Sequence, residues 1–286
     1  MASFLAPAKI NLTLEVLTRR DDGYHSLRSV MVPLALADEL SIDPSERFTF
    51  ACDAPGLAGD DNLVVRAVKA LGEPPPARVT LHKVVPSQAG LGGGSSDAAA
   101  ALRAAMEGAF GPVPRVDWLE IARALGSDVP FFLAGTAALV EGTGERVTPA
   151  GALPPWHVLI VKPPAAVSTA AAYAQLDRIE RPSRARNTSV SIAVLTALQR
   201  FDFDGVERLL QNDFHDVIAA STPEVAIAVD ALHGAGARRA LLSGSGSCVF
   251  TLAPERERIE ALASRLHLPQ AYDVFQTSFA SPTAWR

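Results

Sequence analysis

Cysteine is scarce. Cys52 and Cys248 are the only two in 286 residues, and neither sits in a CxxC or histidine-rich spacing. That excludes a disulfide framework and a four-ligand structural zinc site, and it fits free thiols in a reducing cytosol. Positive charge is not in excess: the formal balance is −5, which argues against a nucleic-acid or anionic-membrane surface. Long hydrophobic runs are also missing, since "VPFFLAGTAALV", residues 129–140, is too short to span a bilayer. The opening "MASFLAPAKINL" has no basic segment before an apolar one, so no signal peptide is expected. These absences predict a soluble, cytoplasmic protein with no nucleic-acid or membrane partner, and a monomer or homodimer is expected without any sequence feature that chooses between them. A small anionic ligand stays open, because one pocket can oppose the global sign.

What is present suits a folded enzyme-sized chain. Hydrophobic residues make up 48%, enough for a sizeable core, and the length favours two domains over one. "AKINLTLEVL" alternates as a strand does, and "RRDDGYHSLRS" is turn-like at Gly23. "DNLVVRAVKALG" and "VDWLEIARALG" have helical spacing and stop at Gly72 and Gly126. "ARVTLHKVV" reads as a strand, and "TAALVEGTGERVTPA" as a hairpin turning at Gly142, Thr143 and Gly144. Proline and glycine concentrate in "GALPPWHV", which marks a boundary between residues 1–152 and 153–286. Beyond it come the strand "HVLIVKP", several helices, and "RRALLSG" and "SCVFTLA" around a glycine turn. Without a regular strand–helix repeat, two α+β domains are expected.

The densest signal is "QAGLGGGSSDAAAALRAA", residues 88–105, with glycines and serines directly before a run of helix-forming alanines. Glycine admits positive φ and close backbone approach, so successive N–H groups can turn inward on an anion. The helix that follows adds unpaired N–H groups and the positive end of its dipole. Ser95 and Ser96 suit the N-cap. The loop is not a GxxxxGK[ST] P-loop, as no lysine follows the glycines. A tight strand-to-helix turn that merely needs glycine is the plainer alternative, and for "SGSGSCVF" a plain turn between strands is as good a reading.

The order of "PAKINL", "PSQAGLGGGSSDAAA", "LGSDVPFF" and "SGSGSCVF" along the chain resembles the GHMP kinases, the small-molecule kinases that include galactokinase, homoserine kinase and mevalonate kinase. The enlarged GLGGGSS loop, with "RRDDGYHSL" and "RNTS", resembles the branch acting on a cytidyl substrate. Ser87, Gln88 and Ala89 stand where some relatives carry more glycine.

The resemblance implies an α+β fold with an ATP-binding amino-terminal domain and a ferredoxin-like α/β sandwich after it. It also implies ATP as co-substrate, Mg²⁺, and phosphorylation of the 2-hydroxyl of 4-diphosphocytidyl-2-C-methyl-D-erythritol. Pro86, Ser87, Gln88, Ala89, Gly90, Leu91, Gly92, Gly93, Gly94, Ser95 and Ser96 would surround the ATP phosphates. Asn62 and Lys83 would lie near adenine, and Ser96 is a candidate magnesium ligand. Asp128 would accept the hydroxyl proton and Lys9 would keep it ionised; the plain alternatives are a turn aspartate and a solvated strand lysine. Asn11, on the same strand face as Lys9, would bind the polyol. Tyr24, His25 and Tyr173 would form the cytosine pocket, and Thr169 would meet the methylerythritol moiety. His82, His157, His215, His233 and His267 show no metal spacing. Another GHMP kinase, or a regulator that lost catalysis, are the competing readings; the extra glycine with "GYH", and the pair Lys9 and Asp128, argue against them in turn.

Overall fold

A computed structural model describes residues 2–21, 23–179 and 189–280. Asp22 of "RRDDGYHSL" and Arg186, Asn187 and Thr188 of "RNTS" lie outside the described residues. The alternating opening forms two strands, Ala2–Asn11 and Thr13–Arg19, interrupted at Leu12. Both pair antiparallel with the long strand His25–Pro44, which also pairs with Ala77–His82 and Ala138–Gly142. Thr49–Cys52 and Arg146–Pro149 extend the sheet at its margins.

Helices Leu63–Lys69, Gly93–Met106, Trp118–Leu125 and Val129–Ala134 pack with this sheet around one apolar core. Ala98 to Ala101 are all buried. Their small side chains let the loop helix lie close against Ala2–Asn11 and Val129–Ala134, and alanine favours the helix itself. This brings Lys9 and the start of the loop helix together.

After residue 152 a second, fully antiparallel sheet forms in the order Leu241–Leu242, Val249–Ala253, His157–Lys162, Asp273–Ser278. Helices Pro223–Gly234 and Arg256–Ala263 contribute buried residues to its core. The α+β class holds. The halves are stitched together: Gln211–Asn212 adds a parallel strand beside Thr13–Arg19, and one apolar core runs from Ile10 and Val32 to Trp156 and Phe250. Buried Glu15 accepts hydrogen bonds from Ser189 Oγ (2.6 Å) and the Ser191 backbone N–H (3.0 Å).

The expected serine cap of the loop helix does not form. The loop helix starts at Gly93 with Gly92 as its N-cap at φ +72°, so Ser95 and Ser96 sit inside the first turn and do not cap it. The left-handed conformation that ends the loop favours glycine over serine. A Cβ on Gly92 would also lie 2.9 Å from the Phe132 ring.

Candidate active site

Between the halves runs a cleft of two joined lobes. The first, about 570 Å³, is lined by Lys9, Asn11, Gly90, Gly92, Asp128 and Gly244 among others. The second, about 820 Å³, is lined by Tyr24, His25, Arg123, Tyr173 and Asp177 among others. Leu27, Ser127, Thr169 and Tyr173 border both.

In the first lobe Lys9 is buried, and its Nζ donates to Asn11 Oδ1 at 2.7 Å. Asn11 Nδ2 in turn donates to Ser29 Oγ (2.8 Å), and that hydroxyl to the Thr13 carbonyl (2.6 Å). The chain of bonds fixes the amide and aims its oxygen at the lysine. Asp128 Oδ2 stands 3.7 Å from Lys9 Nζ, with a third of its side chain exposed. Burial lowers the Lys9 pKa, and the charge of Asp128 opposes that shift. Asp128 occupies the N-cap of Val129–Ala134, yet its side chain makes no capping bond. The plain turn reading therefore gives no use for the carboxylate.

The glycine loop divides its polar groups by side. Ala89 O accepts from Cys248 N (3.0 Å), Gly90 O from Ser243 Oγ (2.9 Å), Leu91 O from Lys9 N (2.9 Å) and Gly92 O from Ser96 N (2.9 Å). Every carbonyl from Ala89 to Gly92 is thus held by a protein donor. The N–H groups from Gln88 to Ser95 have no acceptor among the described residues. A backbone with its oxygens satisfied and its N–H groups free is built to receive an anion. The second glycine cluster is no plain turn, because it supplies Ser243 and Cys248. A Cβ on Gly90 would lie 2.0 Å from the Ser243 carbonyl oxygen.

Lys83 and Asn62 line neither lobe. Lys83 Nζ is buried between Asp38 Oδ2 (2.6 Å) and Asp97 Oδ2 (2.7 Å), and these carboxylates hold its pKa up against burial. Asp38 Oδ1 also accepts from the Val84 and Val85 backbone N–H groups. Asn62 caps Leu63–Lys69: its Oδ1 accepts from Val64 N at 2.9 Å and its Nδ2 donates to Leu57 O at 2.8 Å. Pro86 and Ser87 line neither lobe, and Ser96 is wholly buried with no partner for its Oγ among the described residues.

In the second lobe Tyr24 is 68% exposed. His25 is buried, stacks on Tyr173 (centroids 5.1 Å, 13° between planes) and turns Nε2 to Asp177 Oδ1 at 2.8 Å. Tyr173 also meets Phe214 edge-on. Burial, with Asp128 and Asp177 nearby, raises its phenol pKa. Thr169 Oγ1 lies 2.9 Å from Ser245 Oγ at the junction of the lobes. The sequence reading missed Asp38, Asp97, Asp177 and Ser243. Only Asp97 and Ser243 lay within motifs that drew attention.

Comparison with known proteins gives matches to two family descriptions, "GHMP kinases N terminal domain" over residues 62–136 and "GHMP kinases C terminal" over 194–270. A 4-diphosphocytidyl-2-C-methyl-D-erythritol kinase of Deinococcus radiodurans is 43% identical over 91% of this chain and 87% of its own length. One from Pelotomaculum thermopropionicum is 40% identical over 91% and 92%. A crystal structure of 4-(cytidine 5'-diphospho)-2C-methyl-D-erythritol kinase superposes with a TM-score of 0.77 at 36% identity, covering 98% of this chain and all of that one. A homoserine kinase from Cytophaga hutchinsonii shares the fold at 19% identity, with a TM-score of 0.65 over 97% of this chain and 94% of its own.

Proposed function

The chain belongs to the 4-diphosphocytidyl-2-C-methyl-D-erythritol kinases, a branch of the GHMP kinases, and from that membership we propose how its cleft carries out the reaction. The enzyme transfers the γ-phosphoryl group of ATP to the 2-hydroxyl of 4-diphosphocytidyl-2-C-methyl-D-erythritol, a step in the non-mevalonate supply of isoprenoid precursors.

The ATP phosphates lie on the free N–H groups of the glycine loop. The division of that loop into held carbonyls and free N–H groups is the single observation that carries this reading. The substrate hydroxyl sits between Lys9 and Asp128. As its oxygen bonds to the γ-phosphorus and the bond to the β-phosphate oxygen breaks, Asp128 accepts the proton and ADP leaves. Lys9 has donor capacity beyond its bond to Asn11, and its charge favours the ionised form of Asp128. Asn11 holds the lysine in line and presents its amide to the polyol.

Magnesium, when carried on the ATP phosphates, neutralises charge there. Such an ion keeps several waters and needs few protein oxygens. Ser96 Oγ, buried and unpartnered among the described residues, fits as one of them. The cytosine enters the second lobe between Tyr24 and the His25–Tyr173 stack, and Thr169 meets the methylerythritol end. Residues 1–152 provide the ATP side and residues 153–286 the facing wall. Among the described residues no helix is long and apolar enough to cross a membrane, and a charged nucleotide substrate fits work in the cytoplasm.

A coupled ADP-release assay tests the reading. Release should follow addition of the cytidyl substrate and not of homoserine or mevalonate. The reverse pattern overturns it.

A further inference from the structure

The transfer centre and the cytosine lobe account for the two ends of the substrate, but the diphosphate between them is an anion that also needs a partner. Two guanidinium groups line the second lobe, Arg19 and Arg123. Arg19 Nε is turned to the Gly23 carbonyl in its own turn. Arg123 stands in the last turn of Trp118–Leu125, directly ahead of the Ser127 that borders both lobes. No hydrogen bond or ion pair engages Arg123 among the described residues.

The acidic side chains of that lobe are committed elsewhere. Glu145 folds onto its own hairpin turn, accepting from Thr143 N (2.6 Å) and Thr143 Oγ1 (2.9 Å). Asp177 faces His25. An exposed guanidinium, unpaired among the described residues, is thus left in the second lobe, four residues before the Ser127 that borders the Lys9–Asp128 lobe as well. Its planar fork suits two phosphate oxygens at once.

We propose that Arg123 binds the diphosphate of the cytidyl substrate and so selects a cytidine diphosphate over an uncharged nucleoside. This rests on the reading of the second lobe as the cytidyl site. The group is exposed, so its attraction is screened by salt.

Calorimetry with two probes, cytidine 5'-diphosphate and cytidine, tests the proposal in the full-length protein. Wild type should bind the diphosphate more tightly than the nucleoside. Arg123→Ala should weaken the diphosphate by about 10- to 100-fold, the range for a charge-assisted contact, and leave cytidine unchanged. Arg123→Lys should recover part of the loss, and the preference should shrink as salt rises. In turnover assays Arg123→Ala should raise KM for the cytidyl substrate and leave kcat and the KM for ATP near wild type. Equal losses for both probes, an unchanged diphosphate affinity, a rise confined to the KM for ATP, or removal of the preference by Arg19→Ala instead would each overturn it. Failure of wild type to release ADP with the cytidyl substrate would sink the kinase reading, a result separate from the two-probe comparison.

Discussion

Lys9 and Lys83 both bury an ammonium group beside the glycine loop, and the backbone of each comes from a strand or its end. Lys9 faces the cleft with one carboxylate among the described residues, at 3.7 Å, and burial depresses its pKa. Lys83 lies outside the cleft, clasped by two carboxylates at hydrogen-bonding distance that hold its pKa up. A buried cation that is under-paired stays available to a ligand. One that is saturated holds structure in place: Lys83 ties the strand exit at Val84 and Val85, through Asp38, to the second turn of the loop helix at Asp97.

The largest effect that would break this contrast is on folding. Lys83→Met should cost about 3–5 kcal/mol of stability, the range for removing one partner of a buried ion pair. Urea unfolding measures it. A stable variant with weakened ATP binding would make Lys83 a ligand group like Lys9. Next comes catalysis. Asp128→Asn should lower kcat by at least ~10²-fold, the lower end for general acid–base groups, with an unchanged KM for ATP. Lys9→Met should behave similarly, and the double variant should lose less than the product of the two, because the pair acts as a unit. Near-normal turnover in well-folded Asp128→Asn would leave Lys9 without its partner in the mechanism.

The smallest effect sharpens the contrast through pH. Burial pushes the Asp97 carboxyl up to about 7, with Asp38 adding to the rise and Lys83 opposing it. The folded state then holds this proton more tightly than the unfolded chain. This group's contribution to stability therefore falls as pH rises from the ordinary aspartate range toward about 7, and levels off above that. Asp97→Asn should flatten that slope, so the variant gains on wild type between about pH 5 and pH 8 in urea unfolding. Parallel profiles would show that Asp97 is ionised throughout.

The loop and the Lys9–Asp128 pair were legible because their chemistry is local. Glycines before alanines, a lysine inside a strand, and an aspartate ahead of Val129-Pro130 each carry their signal within a few residues. Asp38 was not, since it stands in the middle of a long strand and meets Lys83 only through sheet pairing. Asn62 and Asp128 look alike from sequence, as each precedes a helix. Only the structure shows that the Asn62 side chain caps its helix and the Asp128 side chain does not. The His25–Tyr173 stack was equally hidden, because it depends on how the two halves meet. Ser95 and Ser96 misled for another reason: serine suits a cap, but the left-handed turn gave that position to Gly92.

The donors that hold the Ala89 and Gly90 carbonyls, Cys248 and Ser243, come late in the chain. During synthesis a ribosome lays down the whole glycine loop long before those donors exist. The nascent amino-terminal half must acquire its shape from its own core, with the oxygens of Ala89 and Gly90 still uncommitted. The loop in its observed shape, with both oxygens held, exists only when Ser243 and Cys248 are in place. A ligand that stabilises only that shape therefore supports both halves together.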